Sequence, residues 1–155
     1  MSTAQRATLK THILATPDLT AAYTNGDLTL LASLLNSSAS PSFTLWKSNV
    51  TIREVGDNIN GSELAGLSTL NTTRLQTVVM LSQFGVNPSL ADRRAFFDDI
   101  FSGAGGTTTR AQLLVLWKRL STRLEKVFAT GTGSDAVPAI LVIEGPITTN
   151  ELIGL

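Results

Sequence analysis

Hydrophobic residues recur at helical spacing over much of the chain, most clearly between residues 107 and 130. In TTTRAQLLVLWKRLSTRLEKVFAT the apolar residues follow at steps of three and four, which places them on one helix face. They are Leu113, Leu116, Trp117, Leu120, Leu124, Val127 and Phe128. Thr109 and Gln112 have the spacing of a capping box, and Gly131 stands where a left-handed helix end needs glycine. The pattern predicts one long helix against which the rest of the chain packs.

Shorter helical patterns fill most of the remaining sequence. Thr16 followed by Pro17 resembles a cap with proline at the first helical position, and Asp27 after Asn25-Gly26 can cap another helix. Gly85 closes a longer pattern further along. We predict helices at about residues 3–15, 17–24, 28–37, 62–70, 73–84 and 88–102, with one last helical turn after Thr149.

Two segments have the pattern of β-strands. In FTLWKSNVTIREV, roughly residues 43–55, Trp46, Val50 and Ile52 share one parity and the residues between them are mostly polar. In PAILVIEG, residues 138–145, four consecutive apolar residues are bounded by proline and glycine. We expect these two segments to pair, with a helix or a neighbouring chain beneath them for stability.

These patterns predict a mainly α protein. We expect a single helical-bundle domain over residues 1–155, with a helical core at about 1–36 and 62–130. Residues 37–61 would form an extended arm, and residues 131–155 a C-terminal strand and tail. The β element, at about 43–55 and 138–145, would be small.

Composition narrows the function only a little. Charged residues make up 15% of the chain and the formal net charge is zero, so no global attraction to nucleic acid is implied. The absence of cysteine excludes disulfides, thiol catalysis and zinc-thiolate sites. The N-terminus lacks a signal-type apolar run and no stretch approaches the length of a membrane span. We therefore expect a protein that is made and kept in the cytoplasm.

No catalytic set can be assembled from the residues. His12 is the only histidine, and we expect it to be an ordinary surface or boundary residue, since catalysis needs partners that converge at one site. Asp92, Asp98 and Asp99 are the densest acidic group, and a solvated helix face explains them better than a metal site. We expect no enzyme activity, no cofactor and no metal.

Two features favour an interaction role. Lys118, Arg119, Arg123 and Lys126 give the long helix a basic side that could line a channel or contact an acidic partner. The strand near the C-terminus follows a glycine-rich loop and could add itself to a neighbour's sheet, although an internal strand pair explains it equally well. The expected partner interface consists of Trp46, Val50, Ile52, Ile140, Val142 and Ile143.

A series of short motifs runs through residues 28–148. The segment FFDDIFSGAGG is followed by TTR at a helix start, a Lys/Arg-rich middle, and FATGTG before a strand and EG. Upstream, LLNS precedes the arm LWKSNVTIREV. This order resembles a family of small virion proteins of tailed bacteriophages and prophages. The chain departs from its relatives at LAGLSTLNTTRLQ, where they carry a more acidic and aromatic stretch.

The helical build, arm and terminal strand are similar to head–tail adaptor proteins. The resemblance implies a ring of about twelve copies of the chain under the portal, which joins the portal protein to a tail or nozzle protein. DNA would be passing cargo only, and no membrane would be involved. The protein would reside at the head–tail junction of the virion, and in the host cytoplasm during assembly. The alternatives are a tail or neck protein (a terminator or tail-completion protein) and a cytoplasmic nucleic-acid-binding regulatory helical module.

Overall fold

The computed structural model describes residues 1–155 and is mainly helical, which confirms the predicted fold class. The ten α-helices are α1 Thr3–Ala15, α2 Pro17–Thr24, α3 Leu28–Asn36, α4 Ile52–Asp57, α5 Gly61–Ala65, α6 Thr69–Leu81, α7 Ala91–Ile100, α8 Thr107–Leu116, α9 Arg123–Phe128 and α10 Thr149–Leu152. Strands β1 (Thr44–Trp46) and β2 (Lys118–Leu120) form a two-stranded antiparallel sheet. A turn of 3₁₀ helix at Ala104–Gly106 precedes α8. None of the helices is long and apolar enough to cross a membrane.

The chain divides into two compact units. Unit 1 contains Met1–Leu45 and Leu120–Leu155, and unit 2 contains Trp46–Arg119. Each unit has a hydrophobic core of its own, whereas the sequence pattern predicts one core around one long helix. The expectation of a single domain stays a prediction.

Unit 1 is built on three short N-terminal helices whose starts are fixed locally. Ser2 and Gln5 form a capping box at α1, Pro17 opens α2, and the Asp27 carboxylate accepts from the Leu30 N–H at 2.9 Å. Helices from the C-terminal part of the chain complete the core. Its buried residues are Leu9, Ile13, Leu19, Ala22, Leu31, Ala32, Leu35, Leu124, Ile147 and Leu152.

Unit 2 packs its helices around two large aromatic residues. The rings of Phe97 and Trp117 meet edge to face, with 5.6 Å between centroids. Both side chains are almost fully buried. The other buried residues of this core are Trp46, Val50, Val55, Leu75, Val78, Val86, Ile100, Phe101 and Leu113.

The long helix predicted for residues 107–130 is wrong, because the chain leaves the helical path at Trp117. In unit 2 the Lys47 N–H donates to the Trp117 carbonyl at 2.8 Å, and in unit 1 the Ser121 N–H donates to the Phe43 carbonyl at 2.8 Å. These backbone bonds replace helical ones over the extended residues between α8 and α9. Thr122 then starts α9 with a capping box of its own.

The caps predicted for that helix are wrong for the same reason. The N-cap of α8 is Gly106 and no side chain of α8 caps it, so Thr109 and Gln112 do not form a capping box. Helix α9 ends at Phe128 and its C-cap is Ala129, so Gly131 does not end a helix. Gly131 instead has a φ of 123° and leaves room for the Ala139 backbone, which lies 3.2 Å from where a Cβ would be.

The predicted arm and terminal strand are both shorter than expected. Only Thr44–Trp46 of the arm is a strand, because Thr51 forms a capping box with Glu54 and starts α4. Residues 138–145 contain no strand, only single bridges from Ala139 to Leu45 and from Ile140 to Thr130. The expected pairing with residues 138–145 is therefore reduced to one bridge, and the strand that pairs with β1 is β2.

The middle helices start at other residues than predicted. Ser68 accepts from the Asn71 N–H and starts α6 at Thr69, within the helix expected at 62–70. Of the helix predicted at 62–70, only the first part is a separate helix, α5, and Asn60 caps it. Near the C-terminus, the expected helical turn is present as α10.

Two neighbouring glycines in the turn before α8 can be compared by a matched pair of substitutions. A Cβ on Gly106 would lie 1.9 Å from the Phe101 carbonyl oxygen, whereas a Cβ on Gly105 would meet nothing within 4 Å. We expect Gly106→Ala to lower the free energy of unfolding by about 1–3 kcal/mol, because backbone must move to relieve the clash. Gly105→Ala should change it by less than about 0.5 kcal/mol. Urea denaturation followed by circular dichroism measures both, and equal effects would contradict this account.

Candidate interaction surfaces

The six residues predicted as a partner interface divide between the two units. Trp46 and Val50 are buried in the core of unit 2, at 9% and 1% exposed, and Ile52 packs against them. In unit 1, Ile140 and Val142 are 48% and 61% exposed. Ile143 is half-buried. The interface itself stays a prediction. Of its six residues, Ile140 and Val142 in unit 1 are the ones whose side chains are largely exposed.

The four predicted basic residues also separate, because the helix that was to carry them is interrupted. Lys118 and Arg119 lie in β2 and are half-buried. Arg123 and Lys126 lie on α9, in unit 1. The four residues therefore do not form one continuous basic face on one helix.

The α9 residues each have specific contacts in unit 1. The Arg123 guanidinium donates to both carboxylate oxygens of Asp18, at 2.5 and 2.9 Å. This hydrogen bond lowers the pKa of Asp18 to about 2. The Lys126 ammonium donates to the Pro41 carbonyl at 3.3 Å and lies 5.6 Å from the centre of the Phe43 ring.

A small basic pocket lies between these residues and α1. It has a volume of about 190 Å³ and is lined by His12, Thr16, Ala39, Ser40, Arg123 and Lys126. Burial lowers the pKa of His12, and so do the Arg123 and Lys126 cations, while Asp18 opposes them. His12 is half-buried, which agrees with the boundary position expected for it, and α9 places Arg123 and Lys126 at its pocket.

Unit 2 carries an exposed apolar surface where α6 ends, which we term the α6-end patch. Met80, Leu81 and Phe84 are 77%, 79% and 88% exposed, and Leu90 is 46% exposed. Beside them is a groove of about 340 Å³, lined in part by Leu81, Phe84, Leu90 and Arg93. Monomeric proteins rarely expose several large apolar side chains to this extent in one place.

The sequence itself contains a signal for this patch. The run VVML and the following Phe84 place apolar residues on every side of the end of α6. One helix packed on one core buries only one stripe, so the surplus had to remain exposed or meet a partner. In the structure, Val78 is buried and its neighbours are not.

The start of α8 is held by a carboxylate from another helix. Glu63 on α5 accepts from the Thr108 and Thr109 N–H groups at 2.9 and 2.7 Å. The fully buried Thr109 hydroxyl accepts in turn from the Asn60 N–H at 3.1 Å. Burial alone would raise the pKa of Glu63, but the hydrogen bonds from Thr109 and Thr108 outweigh it and lower that pKa to about 2.

Unit 2 also contains a cavity of about 550 Å³ lined by two arginines and two tryptophans. The Arg94 guanidinium stacks 4.0 Å above the Trp46 ring and donates to the carbonyls of Pro88 and Ser89. Arg110 donates to the carbonyls of Phe101 and Gly103, just past the end of α7. Both arginines therefore bind the backbone of turns and have a structural role in unit 2.

No group of three or more histidine, aspartate or glutamate residues is placed so that it could hold a metal ion. The Trp117 indole N–H and the Ser121 hydroxyl are buried without a hydrogen-bond partner.

Comparisons with known proteins give no relative. No protein-family model matches the chain, no curated protein matches its sequence, and no solved structure matches its fold. The description of function therefore depends on the sequence motifs and on the surfaces described above.

The Glu63 contact predicts a charge- and pH-dependent stability. Glu63→Gln should lower the free energy of unfolding at pH 7, because it removes the anion that accepts two N–H groups at the start of α8. The depressed folded-state pKa means that this contribution is present above the unfolded value of about 4.3 and is lost as pH falls through about 2. The difference between native protein and variant should therefore shrink between pH 5 and pH 2.

Urea denaturation at pH 7 and at pH 2 tests this prediction. The control is Asp57→Asn, which removes a carboxylate that pairs at 3.9 Å with Arg53 while both side chains are largely exposed. Such a surface pair contributes little. If the two variants are equally stable at pH 7, the proposed role of Glu63 is wrong.

The unpartnered Trp117 N–H predicts an asymmetry between two substitutions. Trp117→Ala should cost about 3–5 kcal/mol, because it leaves a large cavity in the core of unit 2. Trp117→Phe should cost much less, since it keeps most of the contact with Phe97 and removes a buried donor that has no acceptor. Thermal and urea unfolding compare the two, and a Phe variant as unstable as the Ala variant would show that the indole N–H has a partner.

Proposed function

We propose that this chain is a non-enzymatic assembly protein of a tailed-bacteriophage virion, with its station in the head–tail adaptor ring under the portal. The motif order described above supports the virion class. The observation that carries an assembly role is the α6-end patch, where Met80, Leu81 and Phe84 each leave more than three quarters of their surface exposed.

The energetics of this patch favour a protein partner. Fully burying a large apolar side chain stabilises an association by roughly 1.5–3 kcal/mol. Burial of Met80, Leu81 and Phe84 against one neighbour would therefore offset a substantial part of the entropy lost on association. Polar groups around the patch, such as Arg93 in the adjoining groove, give it the polar rim that protein interfaces have.

A ring requires two different contact surfaces on each copy. Unit 1 has exposed apolar residues of its own at Val137, Ile140 and Val142, which are 58%, 48% and 61% exposed. Heterologous contacts between unlike surfaces generate a closed ring when the rotation between copies closes. Because each copy then has several neighbours, no single contact needs to be strong. Portal and tail proteins would be the outer partners, and DNA would pass through.

The alternatives are that the chain is a tail or neck protein of similar size. The number of copies per particle distinguishes these alternatives from the adaptor ring. An adaptor ring should contain about twelve copies per particle and should remain with the head when the tail is sheared off. About six copies, or loss with the tail, would place the protein in the tail. Absence from particles would favour the cytoplasmic regulatory module, for which the basic pocket at His12 is the relevant feature.

The α6-end patch predicts a specific assembly defect. Phe84→Ser should reduce the content of this protein in purified particles at least tenfold, because each lost contact weakens incorporation by about 1.5–3 kcal/mol. The variant should keep a native circular dichroism spectrum, since Phe84 is outside the core. Quantitative mass spectrometry against a capsid component measures the content.

Val115→Ser is the matched control for this experiment. Val115 is also an exposed apolar residue of unit 2, at 75%, but lies on α8, outside the patch. Its particles should contain the normal amount of protein. Normal incorporation of Phe84→Ser would exclude the patch as an assembly contact, and equal loss in both variants would show that the effect is not specific to the patch.

A further inference from the structure

We propose that unit 1 contains a binding site for a phosphate-type oxyanion in the pocket formed by His12, Arg123 and Lys126. The proposal goes beyond the assembly role and does not depend on it. The pocket has a volume of about 190 Å³, several times the roughly 30 Å³ that a water molecule occupies in the liquid. One tetrahedral anion with part of its hydration shell fits such a space.

The charges at the pocket favour an anion. Arg123 and Lys126 are cations from α9, and the acid that acts on His12 is Asp18 from α2. Asp18 is already bound by Arg123 through both carboxylate oxygens. The contacts of Lys126 are a carbonyl and an aromatic ring, neither of which neutralises its charge. Net positive charge therefore remains within the pocket.

The hydrogen-bond donors come from three separate parts of unit 1. His12 on α1 supplies one imidazole N–H when neutral and a second when protonated, and Lys126 supplies the ammonium protons that Pro41 does not accept. Ser40 adds a hydroxyl from the segment before β1. A carboxylate offers two oxygens in one plane, whereas phosphate or sulfate offers oxygens in all directions. Donors on three separate segments that line one pocket suit the tetrahedral anion better than a planar carboxylate.

The site links anion binding to protonation of His12. In the free protein, burial and the two cations lower the pKa of His12, while Asp18 raises it. A bound dianion would favour the imidazolium and so raise this pKa. By linkage, the anion should bind more tightly as pH falls through the pKa of His12.

His12 provides a direct readout, because it is the only histidine of the chain. The NMR titration of its imidazole Cε1–H can be followed in the full-length protein with inorganic phosphate, at constant ionic strength set with chloride. Sulfate is the second probe, since it remains a dianion across the titration. We expect both anions to raise the pKa of His12 by about 0.5 or more, in a saturable manner.

Two lysine variants separate a site from general screening. Lys126→Gln should abolish most of the anion-induced rise, because it removes a cation that lines the pocket. Lys47→Gln removes a charge from unit 2 and should leave the rise unchanged. A rise that is absent with both anions, or that is the same in Lys126→Gln as in the native protein, would overturn the proposal.

A short DNA duplex distinguishes a free anion from a nucleic-acid phosphate. If the duplex raises the pKa of His12 at a far lower phosphate concentration than the inorganic anion, and Lys126→Gln abolishes this effect, the site serves backbone phosphate. If only inorganic phosphate and sulfate act, the site serves a free anion. Both outcomes support the oxyanion site, and a response to none of the three probes contradicts it.

Discussion

The structure depends on the backbone hydrogen bonds that residues 117–121 make outside any helix. The Trp117 carbonyl accepts from Lys47 in unit 2, and the Ser121 N–H donates to Phe43 in unit 1. A helix through this segment would satisfy the same groups locally but would keep Trp117 and Leu124 on one face of one rod. The extended conformation lets Trp117 enter the core of unit 2 and Leu124 the core of unit 1. The chain therefore forms two small hydrophobic cores and not one core along a single long helix.

The chain forms ten short helices, and each helix end needs partners for its free backbone groups. Thr122 and Glu125 supply them locally at α9, whereas Glu63 supplies them from a different helix at α8. Arg110 similarly satisfies carbonyls that follow α7. Charged residues make up only 15% of the chain, and several of them bind backbone groups near helix ends.

The parts of the fold that sequence predicts well are those decided locally. The first three helices begin and end close to the predicted residues because Pro17, Gly26 and Asp27 act on their immediate neighbours. The helical period at 107–130 was equally clear and still misleading, because backbone pairing with residues near Thr44 overrides it. The basic pocket could not be foreseen, since its residues come from distant parts of the sequence. Trp46 and Val50 alternate as an interface strand would, but the same alternation also suits a core.

The composition of unit 1 has a consequence for synthesis on the ribosome. Its helices α1, α2 and α3 emerge before unit 2, but its core also needs Leu124, Ile147 and Leu152. Unit 2 is one continuous segment whose last core residue is Trp117. During vectorial translation, unit 2 can therefore bury its core while α1, α2 and α3 still lack the partners that follow unit 2 in the sequence. The helices that precede unit 2 in the sequence complete their packing after it.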